Sequence, residues 1–169
     1  ITLAENEGLG GETVLVASAA SKLWAFTPGI GLRELPFARP DGMTMSDMAV
    51  QGSSLFVLDA NAATISRFHP SGDGFGSAPA VVADDPKLAA GRRLYAGEDE
   101  FVTSDADGAL HWFSEGVAIE LAQSGIDQRL AAAESRQAMG TGREYGFADP
   151  GANRIVVIQY VGTFVRQYQ

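Results

Sequence analysis

Few side chains in this sequence are suited to chemistry, and their spacing narrows what they can do. The two imidazoles, His69 and His111, sit within or just after short apolar runs, beside Phe68 and Trp112. An imidazole can serve as a general base near neutral pH, but a hydrolase also needs an activated nucleophile, and no G-x-S-x-G elbow is present. Both histidines are therefore expected to be satisfied structural groups. The segment SDADGA, Ser104 to Ala109, places Asp105 and Asp107 ahead of Gly108 like the start of a calcium loop. Such a loop needs later oxygen ligands ending in a bidentate Glu, and Ala109, Leu110 and Trp112 supply none. A hairpin turn accounts for the same residues. The segment GIGLRE, Gly29 to Glu34, has two glycines of a dinucleotide fingerprint but Glu34 in place of the third, without a strand-turn-helix context, and is also read as a turn. No catalytic residue, metal ligand or cofactor is assigned from these patterns.

The carboxylates recur in a more regular way. Four segments align: TVLVASAASKLWAF from Thr13, LFVLDANAATISRF from Leu55, EFVTSDADGALHWF from Glu100 and EYGFADPGANRIVVI from Glu144. Each reads as strand, turn, strand. The residues closing the first strand are Ser18, Asp59, Asp105 and Asp149, in steps of 41, 46 and 44 residues. A carboxylate in that position accepts hydrogen bonds from turn amides two or more residues on, and Asn or Gly supplies the left-handed backbone of the turn. Turn capping is the role expected of these residues, in preference to a ring of cation ligands.

The flanks repeat as well. A short run precedes each unit (ITLAE, DMAV, RLYA, RQAM), and a turn with Gly29, Gly72, Gly116 or Gly162 leads to a last run (LRELPF, APAVVA, AIELAQ, FVRQYQ). Four short strands per repeat, at a period in the forties, is the pattern of a propeller blade. The fold expected is all-β, a β-propeller-like array of about four four-stranded blades near residues 1 to 37, 38 to 84, 85 to 123 and 124 to 169. Such an array is either an open arc or part of a larger propeller. Phe56, Val57, Phe101, Phe147, Ile155 and Val157 are expected in the core. One stretch, Asp127 to Ala138, is rich in helix formers and predicts a short helix.

Composition bounds the functions open to such an array. Twelve Lys and Arg against 21 Asp and Glu give a formal charge of -9, which repels phosphate backbones and argues against nucleic-acid binding. With no Cys, disulfides, thiolate metal sites and Cys nucleophiles are excluded. No apolar run has the ~20 residues that span a bilayer as a helix, and no signal pattern opens the chain. The sequence begins at Ile1, so an upstream signal or anchor is compatible with it, and its last run completes a blade at Gln169.

The closing stretch FADPGANRIVVIQYVGTFVRQY resembles the NHL repeat, with Asp149, Asn153, Arg154, Ile155 and Gly162 on the family pattern. The second repeat keeps Asp59 and Ile65 but has Thr64 where Arg is usual. The third keeps Asp105 with Leu110, and the first has Ser18 in place of Asp. The resemblance implies a propeller fold, and the repeat architecture, the few candidate catalytic groups and the many loops such a scaffold presents favour a non-catalytic module that binds a protein, peptide or glycan partner. A metal-dependent lactonase-like or esterase-like hydrolase is the alternative it leaves open. A fainter likeness, of DMAVQGSSLFVLDANAATISRF and the closing run, to C-terminal propeller modules of bacterial membrane-anchored phosphatase-like or kinase-like proteins implies an extracytoplasmic sensor or docking module. Self-association is expected if the propeller is open.

In a meander of this kind the turns between second and third strands emerge at the same end as the connections between blades. The binding residues expected there are Arg39, Asp41, Lys87, Asp107, Arg129 and Arg154, joined by Asn61, Asp85, Asp127 and Asn153. Their mixed charge suits a polar peptide or glycan rather than a phosphate polymer.

Overall fold

A computed structural model describes residues 2–6, 11–17, 22–76, 78–97, 100–106, 108–120, 137–139, 144–149, 153–159 and 163–168. It contains four antiparallel four-stranded sheets. Blade 1 consists of β1 (Thr2–Asn6), β2 (Gly11–Ala17), β3 (Leu23–Thr27) and β4 (Gly31–Leu35). Blade 2 consists of β5 (Asp47–Gln51), β6 (Ser54–Asp59), β7 (Thr64–Phe68) and β10 (Ala80–Asp84), with a hairpin of β8 (Pro70–Ser71) and β9 (Gly74–Phe75) inserted before its last strand. Blade 3 consists of β11 (Arg93–Ala96), β12 (Glu100–Ser104), β13 (Leu110–Ser114) and β14 (Val117–Ile119). Blade 4 consists of β15 (Gln137–Met139), β16 (Glu144–Asp149), β17 (Arg154–Gln159) and β18 (Thr163–Tyr168). The first strands lie side by side in the order β1, β5, β11, β15, so the blades follow one another around a common inner edge. This is a β-propeller-like array.

Blades 2 and 3 are apolar on both faces because a neighbour covers each. Leu23, Ala25 and Leu35 of blade 1 pack on Met48, Leu55, Val57 and Phe68 of blade 2. The opposite face of blade 2, with Phe56, Leu58 and Ile65, packs on Leu94, Phe101 and Phe113 of blade 3. Trp112, Val102 and Tyr95 on the far face of blade 3 meet Val156 and Ile158 of blade 4. The rings of Phe56 and Phe101 lie 5.1 Å apart across the second of these contacts. A strand buried on both faces reads as a continuous apolar run, as LFVLD in β6 does. β3, covered on one face only, alternates instead.

Polar contacts join the blades at their edges. The Leu94 amide of β11 donates to the Asp47 carboxylate of β5 at 2.9 Å. The inserted hairpin folds back on blade 1, where the Phe75 amide donates to the Pro36 carbonyl at 3.0 Å and Phe37 meets Phe68 edge-on at 4.8 Å.

Four of the expected core residues, Phe56, Val57, Phe101 and Val157, are buried. Ile155 is not: it is 45% exposed, although Val157 on the same face of β17 is buried. Phe147 lies in β16, where only the backbone is described. Gly72 turns the inserted hairpin rather than leading directly into the last strand of its blade. Of the helix expected over Asp127 to Ala138, Gln137 and Ala138 are in β15, paired with β16, and the rest lies outside the described residues. His69, read as a satisfied structural group, is exposed between β7 and the inserted hairpin. Among the described residues no helix is long and apolar enough to cross a membrane.

The turn from β13 to β14 is a two-residue hairpin in which Glu115 and Gly116 both have positive φ, 50° and 79°. A Cβ on Gly116 would stand 2.2 Å from the Val82 carbonyl oxygen of blade 2. Gly116→Ala therefore meets both a left-handed backbone and backbone atoms of the next blade, and is expected to cost about 2 kcal/mol or more. The check is the urea midpoint of the variant against wild type, with an unchanged midpoint as the contrary result.

Candidate functional site at the turn and connection end

Antiparallel order brings the β6–β7 and β12–β13 turns to the same strand ends as the connections that leave β4 and β10. The architecture at this end is built on Asp59. Its carboxylate is buried and accepts the amides of Asn61 and Ala62 within its own turn, each at 3.1 Å. It also accepts the Thr44 amide at 2.9 Å and the Thr44 hydroxyl, both from the connection between blades 1 and 2. Ser46 Oγ of that connection accepts the Ala60 amide at 3.0 Å. On the other side of the same turn, the Ala63 carbonyl accepts the Asp85 amide at 3.2 Å. One turn thus ties together the connections on both sides of its blade.

Burial pushes the Asp59 carboxyl up, but the hydrogen bonds from the Thr44 hydroxyl and the amides of Thr44, Ala62 and Asn61 outweigh it and hold the group below its ordinary value of 3.8. Asp105 has the related role in blade 3, where its Oδ1 accepts the Ala109 amide at 2.9 Å. The residue two positions before Ile65, Leu110 and Ile155 is left-handed in three successive blades: Ala63, Gly108 and Asn153, with φ of 55°, 77° and 50°. Asn153 is thus the turn residue its position predicts.

The expected binding residues fall on this end as follows. Arg39 and Asp41 are exposed on the connection between blades 1 and 2, and the Arg39 guanidinium donates to the Met43 carbonyl of the same loop. Lys87 is exposed on a 3-10 turn, Pro86–Ala90, whose first amides are capped by the Asp85 side chain accepting the Lys87 amide at 2.8 Å. Leu88 of that turn is fully buried and holds it against β6 and β7. Arg154 opens β17 and is half-buried. Asn61 is exposed at the tip of its turn. Asp107, Asp127 and Arg129 lie outside the described residues.

Two clefts open here that the sequence patterns did not single out. One, of about 270 Å³, is lined by Lys87, Leu110, His111, Trp112, Ile119 and Glu120. Its apolar part comes from paired strands, since Trp112 stands opposite Ile119 in the β13–β14 register. A cation, an imidazole and a carboxylate complete the lining, and His111 Nε2 lies 3.6 Å from Asp105 Oδ2. The other cleft, of about 320 Å³, is lined by Lys22, Leu23, Glu34, Leu35, Pro36 and Phe37, with Lys22 and Glu34 paired at 2.9 Å. One volume lies just below and the other just above the lower bound of roughly 300 Å³ for small-molecule and cofactor sites. They fit one amino-acid side chain or one sugar ring. Among the described residues, no three His, Asp or Glu side chains converge as metal ligands.

No family model and no curated protein matches this chain. Solved structures do. A protein of unknown function from Bacteroides thetaiotaomicron aligns at a TM-score of 0.55 and 12% identity over 97% of this chain and 42% of its own. Virginiamycin B lyase from Staphylococcus aureus aligns at 0.49 and 15% identity, over 94% of this chain and 55% of the lyase. The chain thus spans about half or less of these proteins. At such identities the likeness is one of fold.

Removing the buried Asp59 carboxylate leaves the amides of Thr44, Asn61 and Ala62 without their acceptor, and Asp59→Ala is expected to cost about 2–4 kcal/mol. A depressed folded-state pKa gives stability that is present above the unfolded value of 3.8 and lost as pH falls through the folded value. Wild type should therefore lose more stability than Asp59→Asn between neutral pH and about pH 3 in urea titrations. Parallel losses would contradict the assignment.

Proposed function

We propose that this chain is a non-catalytic docking segment of a propeller, binding a protein, peptide or glycan through the end that carries the turns and connections. The observation that carries this reading is the paired design of that end: turns anchored by Asp59 and Asp105, and beside them a small amphipathic cleft with Lys87, His111 and Glu120 around Trp112 and Ile119. A rigid rim with an apolar floor and single charges of both signs matches a polar ligand presenting one ring or side chain. The repeat itself is read as NHL-type. Asp149, Asn153 and Arg154 support this in blade 4, together with the left-handed backbone at Asn153 and its counterparts in blades 2 and 3. The fainter likeness to extracytoplasmic modules makes a sensor role in a larger bacterial protein the context we favour.

Binding is tested by screening a glycan array and a mixed-charge peptide library with wild type and with an Arg39→Ala, Lys87→Ala, Arg129→Ala variant. For any ligand found, the variant is expected to bind at least tenfold more weakly, about 1.4 kcal/mol, with an unchanged melting temperature. Equal affinity of both chains would remove this end from consideration. Hydrolysis of lactone or ester probes by the wild-type chain would instead favour the hydrolase reading.

A further inference from the structure

The two clefts each carry a Lys and a Glu, and they use them differently. In the cleft beside β4, Lys22 and Glu34 pair with each other at 2.9 Å, so its charges are satisfied within the chain. In the cleft beside β13 the cation and the carboxylate come from separate segments, Lys87 from the 3-10 turn after β10 and Glu120 from the residue after β14. Both side chains are exposed, and among the described residues no ion pair joins them. Each stands on backbone that its surroundings hold in place. Buried Leu88 and the Asp85 cap fix the turn that bears Lys87, and Ile119, in register with Trp112, leads directly into Glu120. The rest of the lining is Leu110, Trp112, Ile119 and the ring of His111, whose Nε2 stands 3.6 Å from Asp105 Oδ2.

We infer that this cleft binds a free α-amino acid with an apolar side chain, its carboxylate on Lys87, its ammonium on Glu120 and its side chain against Leu110, Trp112 and Ile119. Such a ligand supplies a complement to each kind of group in the lining, with charge-assisted hydrogen bonds fixing its orientation over an apolar wall. Other occupants leave a group unmatched. A neutral sugar ring gives neither charge a counter-ion. An acidic peptide side chain would meet Lys87 but face Glu120 and the -9 charge of the chain, and a basic one would meet Glu120 but face Lys87. A zwitterion has no net charge, so the acidic chain as a whole does not repel it. The cleft volume of about 270 Å³, at the small end for ligand sites, is in keeping with a ligand as small as one amino acid. The inference rests on the reading of this end as a binding surface and gives the sensor role a ligand class.

The test is isothermal titration calorimetry of the wild-type chain, Lys87→Ala and Glu120→Gln with L-leucine and L-phenylalanine, and with two derivatives of each: the amide, which lacks the carboxylate, and the N-acetyl form, which lacks the ammonium. Wild type is expected to bind at least one of the two free amino acids, and each of its derivatives at least about tenfold more weakly. Each variant should bind the free amino acid at least about tenfold more weakly and lose one preference. Lys87→Ala should no longer favour the free amino acid over its amide, and Glu120→Gln should no longer favour it over its N-acetyl form. Both residues are exposed, so the melting temperatures of the variants should match wild type. Three results would overturn the inference. Binding of the N-acetyl form as tightly as the free amino acid would mean that the cleft takes any apolar carboxylate, such as the end of a peptide chain. Equal binding of the amide would mean that Lys87 holds no carboxylate. No binding of either free amino acid up to roughly 10 mM would remove the site, and a partner found at the same time in the peptide or glycan screen would leave the docking reading standing without it.

Discussion

The structure depends on burial of one blade face against the next. A four-stranded meander has two apolar faces here, and neither can be left in water without loss of the burial that holds it folded; a fully buried Phe or Leu side chain contributes about 1.5–3 kcal/mol. Packing both faces requires the blades to follow one another around a common edge, which is the order β1, β5, β11, β15. From this one constraint come the continuous apolar run of β6, the alternation in β3 and the exposure of Phe26 in the first blade.

The second layer of organisation is polar and local. Once blades pack, their turns and connections meet at one end, and the amides exposed there need acceptors. Asp59 answers that need for its own turn and for Thr44, while Asp85 starts the 3-10 turn that presents Lys87. Stability and presentation are thus linked: the same buried carboxylate that caps its own turn also fixes the connection beside it. Lys22 and Glu34, by contrast, form an exposed ion pair and add little to stability.

The strands, their order and most of the core follow from period-two alternation and glycine turns, which are properties of neighbouring residues. Features that depend on a neighbour in space do not. Ile155 and Leu110 hold the same position of the repeat, yet Leu110 is buried and Ile155 is exposed. Pro70 to Gly74 announces a turn, yet its use as an extra hairpin docked on Pro36 depends on a contact some forty residues away. The Lys87 cleft joins three segments that become adjacent only through the β13–β14 register and the buried anchor Leu88. Paired patterns of alternation in β13 and β14, with Trp112 and Ile119 in register, were the one signal that could have located it.

The measurement closest to the central claim compares one residue type at one position of the repeat in different surroundings. Phe26, Phe68 and Phe113 differ chiefly in whether a preceding blade covers them. Unfolding in urea, at concentrations dilute enough for a single chain, should show Phe68→Ala and Phe113→Ala each losing about 3–5 kcal/mol, and Phe26→Ala losing less than about 1 kcal/mol. Equal losses at all three positions would mean that contact between blades is not what holds the fold together.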